Sequence, residues 1–152
     1  MDVMGEIGAA VEQGHAGEAA EARRRLTQLW HDPAVQADPF RRCALAHYAA
    51  DLEPEVADEI RWDLRALDAA DAIPPDHETP VDVAAMYPSL HLNLGDAYLR
   101  AGDLPSAVHH LERARASTGA LPDDGYGRMI RGGIEALGER VADEHARQGR
   151  RW

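Results

Sequence analysis

Apolar residues return every three or four positions along nearly the whole chain, and nowhere do they alternate residue by residue. Val56, Ile60, Leu64 and Leu67 show the pattern best, at intervals of four, four and three. At 3.6 residues per turn such intervals draw one stripe along an α-helix. Asp58, Glu59, Arg61, Asp63 and Arg65 fall between the apolar positions, which gives that helix a wet face and a dry one. Prolines, glycines and capping residues separate one such segment from the next. No segment has the period of two, bounded by a hairpin signal, that a strand requires. The chain is therefore expected to be all-α.

The breakers set the order of elements. A first helix is expected over about 2–12, ended by Gly14-His15-Ala16-Gly17, and a second over 18–30, with Ala19, Ala22, Leu26 and Leu29 on one stripe. Asp32-Pro33 starts a short loop. Asp38 and Pro39 open a third helix as N-cap and first helical residue, running to Leu52. Glu53-Pro54 restarts the chain as a fourth. Ile73 to Pro80 carries three prolines and reads as the one clear linker. A helical turn over 81–86 follows, then a fifth helix from Pro88 to Ala101, a turn at Gly102-Asp103, and a sixth from Pro105 to Ser117. A further turn leads into a seventh, from Tyr126 to Arg147. In it Gly132, Gly133 and Gly138 suggest close packing against the preceding helix, and residues 149–152 form a tail ending in Trp152.

Composition narrows the classes of function. At 152 residues the chain fits one domain, expected over 1–148. The net charge is −11, which disfavours nucleic acid and anionic membrane as partners. All 16 basic residues are Arg, so no Lys exists for a Schiff base or a P-loop phosphate contact. The single Cys43 leaves no internal disulfide and fits a reducing compartment. The N-terminal MDVMGEIGAA lacks the basic start of a secretory signal, and no apolar run is long enough to span a bilayer. The expected location is cytoplasmic.

The segment from Pro88 to Leu121 has an internal logic of its own. Leu94-Gly95 is followed by Tyr98, the turn Gly102-Asp103, and then Ala107, Leu111 and Ala114 at spacings of four and three. Small residues at 95 and 107 suit a close helix crossing, and Tyr98 and Leu111 suit the space beside it. This pattern resembles a tetratricopeptide repeat. Two residues depart from it: His91 stands where Trp is common, and Gly119 where the closing Pro is common. Gly14, Ala19 and Leu26 echo one earlier repeat, and Tyr48, Ile60, Leu64 and Leu67 another. The resemblance implies a solenoid of about three antiparallel helix pairs, at 2–31, 38–71 and 88–119, closed by a capping helix at 124–147.

The resemblance also implies a function and a site. First helices of successive pairs in that family line a concave groove that holds a peptide. By position its residues here are Ser89, Leu92, Asn93, Asp96 and Arg100, with Arg42 and Ala46 from the second pair. Asp96 and the missing Lys point to a basic or neutral polar partner, and the side chains of Asn93 and Asp96 are expected to face solvent. The expected protein is thus a non-catalytic binding module without metal or cofactor, and a second copy of the chain is a further expected partner.

Other chemistries are legible but thinner. Cys43 and His47 are four apart on one helix, and with His91 they would be the centre of a small-molecule or metal-dependent enzyme; no oxyanion-hole signature accompanies them. His109 and His110 are adjacent and so point about 100° apart on a helix. Arg23-Arg24-Arg25 and Arg41-Arg42 define an edge that could take a phosphate or carboxylate, or simply pair with Glu18, Glu21 and Asp38.

Overall fold

Eight α-helices and two short 3-10 turns account for the secondary structure of the computed structural model, which describes residues 2–79 and 82–150; no strand occurs among them. The chain divides into two compact units, Met1–Thr79 and Pro80–Trp152. The division falls at the proline-rich segment read as a linker.

In the first unit, α1 (Val3–His15) turns back into α2 (Ala19–Trp30). Asp2 caps α1, its carboxylate accepting from the Gly5 amide at 2.8 Å. The helix runs further than the glycines suggest. Gly14 lies inside it, where an added Cβ would meet Leu52 Cδ2 at 2.8 Å, and the reversal is made at Gly17, with φ +94°. The next segment is not a plain loop. Asp32 and Pro33 start a single turn, α3 (Pro33–Gln36), by the same cap-and-proline signal that Asp38 and Pro39 give to α4 (Pro39–Asp51).

α4 packs along α5 (Val56–Asp71) through alanines: Ala46, Ala49 and Ala50 on one side, Ala66, Ala69 and Ala70 on the other. This corrects the expected stripe on α5. Its buried residues are Trp62, Asp63, Ala66, Ala69 and Ala70, while Leu64 is 37% exposed and Val56, Ile60 and Leu67 are only partly covered. Alanine wins the inner face because helix axes can approach closely there without side chains to part them. α5 also begins at Val56 rather than at Pro54. Residues 73–79 are tied down, since His77 Nε2 lies 3.0 Å from Asp38 Oδ1 at the head of α4.

The second unit opens with a 3-10 turn, Val83–Met86, followed by α6 (Tyr87–Arg100), α7 (Leu104–Ser117), a 3-10 turn at Thr118–Ala120, and α8 (Gly125–Gly149). Gly102, φ +83°, makes the turn between α6 and α7. Asp103 caps α7 by accepting from the Ser106 amide at 3.1 Å and its hydroxyl at 2.7 Å; those two bonds lower the carboxyl pKa. Asp124 caps α8 through the Gly127 amide at 2.9 Å. Helix α8 extends through Gly149, the first residue of the expected tail; Trp152 lies outside the described residues. Leu104, Ala107, Leu111 and Ala114 of α7 form one core with Ile130, Ile134, Leu137 and Val141 of α8 and with Leu121.

Candidate functional site

The candidate binding face lies on α6, and the residues assigned to it meet different fates. Ser89, Leu92, Asn93 and Asp96 are half-buried, and Arg100 is exposed. Helix α8 runs beside this face. A Cβ on Gly133 would stand 2.9 Å from Leu92 Cδ2, and one on Gly95 would stand 2.7 Å from Leu137 Cδ2. Asp96 is held twice: its Oδ1 accepts from Arg140 of α8 at 2.7 Å and its Oδ2 from Arg100 at 3.0 Å. The expectation that Asp96 faces open solvent is thereby corrected, because the carboxylate is the polar clamp between α6 and α8.

The contacts of Gly95 also shift the reading of that position. Ala107 O and Leu111 N of α7 lie 3.5 and 3.6 Å from the added Cβ, but the nearest atom belongs to α8. The small residue thus serves two neighbours. Gly133 meets α6 rather than the helix before it, Gly138 meets the Arg115 guanidinium of α7, and Gly132 meets nothing.

In the first unit, Ala46 is completely buried and supplies packing instead of contact surface. The Arg42 guanidinium donates to the carbonyl of Gln36, and Arg41 to that of Ala34 at 3.0 Å. Arg23 donates to the carbonyl of Leu52 at 3.1 Å, Arg24 pairs with Glu21, and Arg25 donates to Gln13 Oε1 at 2.9 Å. The arginines of the expected edge are therefore engaged, Arg23, Arg41 and Arg42 with backbone carbonyls and Arg24 with Glu21. Between Arg23, Arg24, Thr27, Gln28 and Glu53 lies a shallow, open groove on α2.

Cys43 is buried, and burial pushes its thiol up to about 12. A thiol so placed stays protonated at neutral pH and is not a nucleophile. The His47 ring lies 5.7 Å from that of Tyr48, its neighbour in sequence. Among the described residues, no three His, Cys, Asp or Glu side chains gather as a metal ion would need. No helix of the described residues is long and apolar enough to cross a membrane.

Two clusters escaped the sequence reading. The first joins His91 of α6 to His110 of α7, Nδ1 to Nδ1 at 3.0 Å, both nearly buried. Tyr87 stacks on His91 at 6.2 Å, and Tyr98 on His110 at 5.5 Å with the planes 6° apart. Burial, reinforced by His91, His109 and Arg113, holds the His110 pKa down at about 4. A signal for it existed. Residues 107, 110, 111 and 114 fall at i, i+3, i+4 and i+7, which puts His110 on the inner stripe and leaves His109 outside it. The second cluster is Trp30 edge-on to Trp62 at 5.3 Å, with the Arg65 guanidinium 4.6 Å from the Trp62 ring.

Compared with protein-family models, curated proteins and solved structures, the chain matches none.

Proposed function

We propose that this chain is a non-catalytic module of the tetratricopeptide-repeat kind that binds another protein or peptide. The observation that carries the reading is the packing of α6 on α7. Gly95, Ala107, Leu111 and Ala114, the small and bulky positions of the motif, are all buried there, and the motif's aromatic, Tyr98, packs against the same core. The pairing of α1 with α2 and of α4 with α5 in the first unit supports it further, since successive helix hairpins are the unit of such arrays. α8 takes the role of the closing helix, covering Leu92 and clamping Asp96.

The contact surface proposed on α6 is Ser89, Asn93 and Arg100, the last of them presented while it is also paired with Asp96. An amide can donate to and accept from a peptide backbone, and a guanidinium can hold a carbonyl or carboxylate. The partner is a segment with neutral polar or basic side chains, because an acidic one would meet a chain of charge −11. The module acts from the cytoplasm in this reading.

A photo-crosslinking residue placed at Asn93, and a control placed at Thr27 of α2, tests the assignment in the native cell. One protein captured at 93 and not at 27 is the expected result. Equal capture at both positions, or none at 93, would count against the α6 face.

A further inference from the structure

The buried imidazole pair has a property that neither ring has alone. His91 and His110 face each other through Nδ1 atoms 3.0 Å apart, at 5% and 8% exposure. A hydrogen bond across that distance needs one Nδ1 with a proton and one without. The two rings therefore hold opposite tautomers when both are neutral. With one imidazolium in the pair the same bond persists, because a bare Nδ1 still faces an N–H. With two imidazolium rings, N–H faces N–H at the centre of the pair, and two like charges share a site closed off by Tyr87 and Tyr98.

The charges that act on His110 do not favour a second proton there. The charges that act on His110 are His91 of α6 and His109 and Arg113 of α7. Every one of them is a base or cation. No carboxylate is among them, and none of them stands on α8 or on the two 3-10 turns. Depression of the His110 pKa agrees with that arrangement.

We propose that the His91–His110 pair is an acid-sensitive latch on the α6–α7 hairpin: one bridging proton ties the helices together, and a second proton enters only as the rings part. The latch belongs to the fold and stands whether or not the α6 face binds a partner. Its operation is a proton uptake and nothing else. As the second imidazole nitrogen is protonated, the Nδ1–H···Nδ1 bond is lost, Tyr98 loses a neutral stacking partner, and the contact between α6 and α7 opens.

Hydrogen exchange of the slowest amides in α6 and α7 measures the opening. With His110 at its ordinary 6.5 in the open chain and about 4 in the closed one, protection, corrected for the intrinsic rate, should be about tenfold lower at pH 5.5 than at pH 7.5. In His91→Phe/His110→Phe, which keeps two rings and removes both titrations, that tenfold difference should disappear. An unchanged pH dependence in the double variant would overturn the proposal. Imidazole nitrogen NMR of the wild-type chain gives an answer that does not depend on how the variant folds. Opposite tautomers at pH 7.5, with no doubly charged pair in the folded chain above pH 5, are expected. Two rings in the same tautomer, or both titrating independently near 6.5 while α6 and α7 stay protected, would refute the latch.

Discussion

The hairpins α4–α5 and α6–α7 use similar sequence material and pack in different ways. In α6–α7 the contact mixes sizes: Gly95 and Ala107 let the helices close, Leu94 and Leu111 fill the space beside them, and α8 adds a third side through Leu137. In α4–α5 each helix buries three alanines, α4 adds Cys43 and Leu45 and α5 adds Trp62, while Ile60, Leu64 and Leu67 of α5 are pushed to the flanks. The lesson is that the largest apolar residues of a helix need not mark its buried face. Where axes come close, the smallest do, and a stripe of leucines then marks the shoulder.

The sharpest way to break this comparison is to remove a large buried residue packed against the second hairpin. Leu137→Ala should cost about 2–5 kcal/mol, the usual loss for a fully buried leucine, and should loosen α8 from α6. Urea unfolding followed by circular dichroism measures it. Gly95→Leu should lie near the top of the ~1–3 kcal/mol overpacking range, and Gly95→Ala well below it, because a single methyl crowds the movable end of Leu137 and makes ordinary contact with the α7 backbone.

The first hairpin offers the mirror experiment. Ala66→Leu, at a completely buried position, should cost about 1–3 kcal/mol, whereas Leu64→Ala should stay within about 0.5 kcal/mol. Trp30 and Trp62 report on this unit by fluorescence. The opposite order would restore Leu64 to the core and undo the account of α5.

Next in size is the effect of pH on the second hairpin. The folded-state pKa of His110 lies below its ordinary value of 6.5, so the unfolded chain takes up the proton first. Its contribution to stability is complete above about 6.5 and is lost as the pH falls toward about 4. At pH 5.5 the loss should be about 1.4 kcal/mol by that linkage, seen as a lower melting temperature for the wild type than for His91→Phe/His110→Phe relative to each protein at pH 7.5. The smallest expected effect belongs to Asp96→Asn. It weakens two partly exposed ion pairs, with Arg100 and Arg140, and should cost less than about 1 kcal/mol at low salt and less again at high salt.

Much of the fold was legible because its signals are local. Asp38-Pro39 and Gly102-Asp103 each carry a cap or a turn whose geometry depends on a few neighbouring residues, and each stands where the spacing puts it. The errors arose where the deciding neighbour is remote in sequence. Gly14 reads as a breaker until Leu52 is seen against it, and Asp96 as a solvent-facing acid until Arg140 arrives from 44 residues away. For the site, Ser89, Asn93 and Arg100 could be placed on α6 from the motif, but the cover supplied by α8 could not. The imidazole pair sat between the two cases: His110 was marked by spacing along α7, and its partner His91 by standing where an aromatic residue is common in the resembling motif.

Contact between the α6 face and another protein is the function proposed for this chain, and a titration measures it directly. The protein captured at position 93 is purified and titrated against wild type, Asn93→Ala and, as a control remote in sequence, Thr27→Ala. The proposal predicts a loss of affinity of roughly fivefold or more for Asn93→Ala, on the order of one hydrogen bond, with Thr27→Ala binding like wild type. Equal affinity for all three proteins would contradict it.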